Sequence, residues 1–204
     1  MWVKICGVTT VDDAVACVLA GADAIGVNLV ASSPRCVDAE RAREIARAVA
    51  ERASVIGIVA NASDEAMRAL LMQSELTLLQ LHGDETPKAL AGLLPLAYKA
   101  VRIGTREDAV LAARYGGDTL LVDAKVEGAL GGTGATFDWS LVADLARARK
   151  IILAGGLNPE NVEAAARAVK PYGVDVASGV EKKSDPRAKD LDRVRAFIER
   201  AKGA

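Results

Sequence analysis

The chain has 204 residues, 51% hydrophobic and 26% charged, enough for one sizeable core and short for two independent domains. That balance excludes a disordered chain and a collagen-like one. With 26 basic residues against 27 acidic the formal charge is -1, and no basic run exceeds Lys182-Lys183, so no nucleic-acid partner is expected.

No apolar stretch reaches the roughly 18 to 20 uncharged residues of a membrane span. Lys4, Asp12 and Asp13 stand where a signal peptide would be apolar, so a cytoplasmic chain without a membrane partner is expected. Cys6, Cys17 and Cys36 are odd in number and form no CxxC pair, which points to neither a disulfide framework nor a thiolate metal site.

Short Val-, Ile- and Leu-rich runs alternate with Ala-, Glu- and Arg-rich stretches of helical period. The reading places strands near 2-6, 24-29, 54-60, 77-81, 97-102, 119-123, 150-154 and 173-177. Helices follow near 11-20, 38-51, 63-72, 85-94, 105-115, 138-149, 159-170 and 188-202. Thr10, Asp38 and Ser63 stand at helix starts, and Asn158-Pro159-Glu160 places Pro at a first helical position. Strict alternation implies a parallel sheet, either closed or doubly wound, and eight units favour closure. The expected fold is therefore an α/β single-domain (β/α)8 TIM barrel spanning residues 1-204, of minimal size against a usual length of about 250.

In such a barrel alternate strand residues face inward, and chemistry collects at the C-terminal ends of the strands. In Trp2-Val3-Lys4-Ile5-Cys6 the period of two sends Val3 and Ile5 toward the helices and leaves Lys4 and Cys6 inside. Asp123 ends the sixth strand, Gln80 and His82 end the fourth, Lys99 lies within the fifth, and Asp175 interrupts the apolar eighth. A buried carboxylate or ammonium requires a partner, and Lys4 can find one in Asp123 or Asp175. Cys17, mid-helix, and Cys36, in a loop, read as structural.

Two glycine turns, Leu153-Ala154-Gly155-Gly156-Leu157 and Ala177-Ser178-Gly179-Val180-Glu181, follow the last two strands. Barrels commonly bind phosphate there, on exposed backbone amides beside a helix start. A third cluster, Gly128 to Gly134, lies in the longest loop and resembles a lid. Neither a P-loop nor a GxGxxG fingerprint is present, so nucleotide cofactors find no support.

Lys4-Ile5-Cys6-Gly7, Ser33-Pro34-Arg35, Gln80-Leu81-His82-Gly83, Gly131-Gly132-Thr133-Gly134, Phe137-Asp138-Trp139, Leu153-Ala154-Gly155-Gly156-Leu157 and Ser178-Gly179-Val180-Glu181 occur in this order over nearly the whole chain. Together they resemble the phosphoribosylanthranilate isomerase family. The resemblance implies a monomeric or homodimeric barrel and a step of tryptophan biosynthesis that needs neither cofactor nor metal. The step is the Amadori rearrangement of phosphoribosylanthranilate. By the same resemblance Cys6 is the general base, Asp123 the general acid, and Arg35 the anthranilate-carboxylate ligand. Gln80, His82, Gly132 and Asp175 are substrate-binding positions, and Gly155, Gly156, Ser178 and Gly179 grip the phosphate. Lys4 is the cation expected to favour the Cys6 thiolate. One departure follows Glu181, where Arg187 replaces a family glycine and puts the loop and the last helix start in question. Two other readings are a silent sugar-phosphate-binding barrel and a bifunctional isomerase that also takes the histidine-pathway aminoaldose.

Overall fold

The computed structural model describes residues 1-124 and 138-204. Eight parallel strands form a closed barrel in chain order: β1 (Trp2–Cys6), β2 (Ala24–Asn28), β3 (Ser54–Val59), β4 (Leu78–Leu81), β5 (Ala97–Ile103), β6 (Thr119–Ala124), β7 (Lys150–Leu153) and β8 (Gly173–Val176). The ring shuts where β8 pairs with β1 and Lys4 lies directly opposite Asp175. Outside it lie α1 (Val11–Leu19), α2 (Ala39–Val49), α3 (Asp64–Ser74), α4 (Pro87–Ala91), α5 (Arg106–Ala112), α6 (Ala143–Ala148), α7 (Val162–Val169) and α8 (Leu191–Lys202).

The strand period of two divides the core into two layers. Val3, Ile5, Ile25, Val27, Leu79, Leu120, Val122, Leu153 and Val174 point outward into one cluster with the buried helix faces. Ala24, Ile56, Tyr98, Ala100, Leu121, Ile152 and Ala154 fill the interior as a second, smaller cluster over Trp2 and Leu78. Lys99 belongs to the outer layer. It shares a strand face with Val101 and Ile103 and donates to the carbonyls of Leu81 and Gly83 and to Glu85. No catalytic position is left to it, and its work is to hold the β4–α4 loop.

Thr10, Asp38 and Ser63 cap α1, α2 and α3 by accepting from backbone amides three residues on. Several helices are shorter than their periodicity suggests. Helix α4 ends before Gly92 and α5 before Gly116-Gly117, residues that gain little from helical conformation. A 3-10 turn, Trp139–Val142, precedes α6. Pro159 lies in a turn and not at a first helical position; Asn158 caps that turn, its Oδ1 accepting from the amides of Glu160 and Asn161, and α7 starts only at Val162.

The largest difference is at the end of the chain. Where residues 188-190 read as helix, β9 (Glu181–Lys182) and β10 (Asp185–Lys189) form an antiparallel hairpin. Arg187 fits that hairpin without strain: its guanidinium donates to the carbonyls of Pro34 and Cys36, and its own carbonyl accepts from Thr9 Oγ1. Asp190 then starts α8 by accepting from the amides of Asp192 and Arg193. Asp190→Ala should therefore lower stability by about 1 kcal/mol, the usual loss for an N-cap. Denaturant unfolding that shows no loss for Asp190→Ala would place the helix start elsewhere.

Candidate active site

A cavity of about 350 Å³ opens at the C-terminal ends of the strands. Nine of the candidate residues line it: Cys6, Arg35, Gln80, His82, Asp123, Gly155, Gly156, Asp175 and Ser178. Gly179 follows Ser178 and is not itself among the lining residues, and Gly132, with the Gly128 to Gly134 cluster, lies outside the described residues.

The floor is a buried polar network. Lys4, with no exposed surface, donates to Asp175 Oδ1 at 2.9 Å and to Gln80 Oε1 at 3.0 Å. Of the two possible partners for Lys4 the register thus selects Asp175. Tyr98 donates its hydroxyl to the same Gln80 oxygen at 2.9 Å. Burial alone favours a neutral amine, but Asp175, assisted by Cys6 and Tyr98, holds Lys4 well above its ordinary range as a charged ammonium.

Cys6 sits above this ammonium at the end of β1. Burial pushes its thiol above the ordinary 9.0; Lys4 and Lys189 oppose that and Asp175 reinforces it. Lys4 therefore acts in the expected direction without overcoming desolvation. Gly26, opposite Cys6 on β2, makes room for both groups: a Cβ there would stand 2.8 Å from Cys6 Sγ and 3.0 Å from Lys4 Cε. Cys17 is buried and pushed up to about 12 by desolvation, as befits a structural thiol.

Asp123, the penultimate residue of β6, faces the cavity. Its Oδ1 accepts from the amide of Ala124 at 2.8 Å, and its Oδ2 lies 3.3 Å from His82 Nε2. Glu85 steadies the loop carrying His82, accepting from the amides of Asn61 and Gly83 and from Lys99.

Arg35 already holds a carboxylate. Its Nε and Nη2 donate to Glu181 Oε1 and Oε2 at 2.6 and 2.9 Å, and Glu181 also accepts from Lys189 at 3.1 Å. Hydrogen bonding by Glu181 raises the Arg35 guanidinium further. Burial works against the Glu181 carboxylate, yet Arg35 and Lys189 keep it below its ordinary range. A planar fork that binds one carboxylate this way is suited to a second.

At the opposite rim Gly155 and Gly156 adopt φ of 84° and 65°, a backbone that ordinary side chains resist. A Cβ on Gly155 would come within 2.5 Å of the Ala124 amide nitrogen, and one on Gly179 would collide with the Leu157 carbonyl. The contact between the two turns thus leaves no room for a Cβ at Gly179.

Tyr98, Glu181, Lys189, Gly26 and Glu85 carry parts of this site that the sequence reading did not assign. For Tyr98 a signal existed: Lys99 shares its strand face with Val101 and Ile103, so the other face, with Tyr98 and Ala100, had to point inward. The partners of Glu181 come from remote elements and leave no local pattern.

Two outcomes follow from this electrostatic arrangement. Lys4→Met should destabilise the fold by about 3 to 5 kcal/mol in urea unfolding, since it strands Asp175, whereas adding Asp175→Leu should restore most of the loss. Alkylation of Cys6 by iodoacetamide, mapped by mass spectrometry, should still accelerate as pH passes 9.0; a plateau below neutral pH would mean a preformed thiolate.

A family described as N-(5'phosphoribosyl)anthranilate (PRA) isomerase matches residues 3–200. The N-(5'-phosphoribosyl)anthranilate isomerase of Myxococcus xanthus is 46% identical, covering 98% of this chain and 95% of that protein. The enzyme of the same name from Pseudomonas aeruginosa is 48% identical over 97% of this chain and 93% of its own length. The crystal structure of phosphoribosyl anthranilate isomerase from Thermotoga maritima has 36% identity and a TM-score of 0.92, with full coverage of both chains at 100%. Another phosphoribosyl anthranilate isomerase structure, at 34% identity, TM-score 0.89 and 100% coverage of both chains, is a complex with reduced 1-(o-carboxyphenylamino)-1-deoxyribulose 5-phosphate. With its barrel, its strand-end cavity and a family match from residue 3 to residue 200, the chain belongs to the phosphoribosylanthranilate isomerase family.

Proposed function

We propose that this chain, one barrel domain over residues 1-204 working in the cytoplasm as a monomer or homodimer, isomerises N-(5-phosphoribosyl)anthranilate to 1-(2-carboxyphenylamino)-1-deoxyribulose 5-phosphate in tryptophan biosynthesis. The observation that carries the reading is one cavity that Cys6 and Asp123 enter from the ends of β1 and β6, between Arg35 and the paired glycine turns. The substrate has a matching polarity, with a carboxylate at one end, a phosphate at the other and the reacting sugar carbons between them. Neither nucleic acid nor a membrane takes part.

Asp123 gives its proton to the furanose ring oxygen, which breaks the bond from that oxygen to C1 and leaves an iminium at C1. The iminium acidifies the proton on C2. The Cys6 thiolate removes it, and the electron pair forms the C1–C2 double bond of an enolamine. That species takes a proton at C1 and loses one from the C2 hydroxyl to become the ketone. Exchange with water resets Cys6 and Asp123, so the reaction needs one acid and one base in total. Burial disfavours the resting thiolate, and Lys4 beneath it offsets part of that penalty. Arg35 orients the anthranilate carboxylate, Gln80, His82, Gly132 and Asp175 contact the substrate, and the amides around Gly155, Gly156, Ser178 and Gly179 hold the phosphate.

Loss of substrate fluorescence with purified protein tests the reading. Cys6→Ser and Asp123→Asn should each reduce kcat by at least about a hundredfold. Arg35→Ala should raise KM, with Arg35→Lys only a partial remedy, since a point charge cannot reproduce a bidentate contact. Inorganic phosphate should compete with substrate, and Gly156→Val should abolish that competition. Near-normal turnover in either of the first two variants removes that residue from its role.

A further inference from the structure

The polar floor continues past Gln80 to the acid of the proposed reaction, and its hydrogen-bond polarity can be assigned atom by atom. An ammonium has donors only, so the Gln80 atom 3.0 Å from Lys4 Nζ must be the amide oxygen. Tyr98 donates to the same atom at 2.9 Å. The Gln80 amide nitrogen is therefore the group that lies 2.8 Å from His82 Nδ1. An amide nitrogen can only donate, so Nδ1 accepts and carries no proton. In a neutral imidazole the proton is then on Nε2, the atom 3.3 Å from Asp123 Oδ2. Nε2 is buried and has no regular hydrogen-bond partner among the described residues, while Asp123 Oδ1 is engaged by its own strand at Ala124.

We infer that Gln80 is a positioning residue that fixes the His82 tautomer, so that His82 acts as a donor toward Asp123 Oδ2 and not as an acid or base. The inference rests on the proposed reading of Asp123 as the acid. While Asp123 holds its proton, the N–H faces an oxygen that gains little from it. Once the proton has passed to the ring oxygen, the new carboxylate accepts from Nε2–H. The contact is therefore stronger after proton transfer than before, which is the condition for lowering the barrier to ring opening. His82 neither gains nor loses a proton. Lys4 and Tyr98 act one residue further away: by occupying the Gln80 oxygen they keep the amide from turning over.

His82 is the only histidine in the chain, so its ring nitrogens can be read without assignment in a long-range 15N–1H spectrum. The ligand-free protein at neutral pH should show one protonated nitrogen at Nε2 and one unprotonated nitrogen at Nδ1. Gln80→Glu keeps the acceptor for Lys4 and Tyr98 but replaces the donor by a carboxylate oxygen, so Nδ1 should become protonated, as the inverted tautomer or as imidazolium. The same variant should lower kcat by about tenfold or more, a larger effect than any change in KM from the Gln80 substrate contact, since the interaction lost through His82 is one made after binding. Should Gln80→Glu fail to fold by circular dichroism, Gln80→Met removes the donor and should abolish the single Nε2–H state. An Nδ1–H ring or a charged ring in the wild type, or a folded variant that keeps the wild-type pattern, overturns the inference. The spectrum needs no substrate. A correct tautomer in a protein without isomerase activity would sink the functional reading alone, and full activity with the wrong tautomer would sink this one alone.

Discussion

A charged lysine at the centre of the barrel is the constraint around which the remainder is arranged. Desolvating an ammonium and a carboxylate costs several kcal/mol each, and only close geometry with further hydrogen bonds offsets it. Lys4 and Asp175 meet that demand across the seam where β1 and β8 close the ring. The same ammonium orients Gln80 from below and places positive charge beneath Cys6. The contact made where the sheet closes is therefore also the one that sets charge and hydrogen-bond polarity at the floor of the cavity.

The architecture was open to reading because it is repetitive. Eight strand-helix alternations imply a closed parallel sheet, and the period of two within Trp2-Val3-Lys4-Ile5-Cys6 sent Lys4 and Cys6 inward as found. What local pattern cannot carry is partnership. Asp123 and Asp175 are both carboxylates near strand ends, and only the β1–β8 register decides that Lys4 faces the second. The hairpin of β9 and β10 was hidden for a related reason: the charged run Glu181 to Asp190 has no alternation, and its contacts are with Thr9, Pro34 and Cys36, far away in the chain. Resemblance placed Arg35 in the site, but that Glu181 already fills its fork depends on the fold alone.

That pairing shapes the electrostatics of the mouth. The Arg35 fork meets the Glu181 carboxylate within the fold, and Lys189, a second cation on the same carboxylate, leaves the three side chains with a net positive charge. A carboxylate bound there as proposed would share or exchange an existing interaction, since the guanidinium is already paired and partly buried in the fold. The rim is further fixed by Arg187, whose contacts to Pro34 and Cys36 bracket Arg35 from both sides in sequence.

Gly26 is not among the residues lining the cavity, yet its missing side chain is what lets a thiol and an ammonium lie over the same point of β2. Every other amino acid brings at least a methyl group into a gap too small for one. A single-base change in its codon leads either to glycine again or to a residue that displaces Cys6 or Lys4. Change at this position is therefore confined to synonymous codons unless the thiol, the ammonium or both can shift.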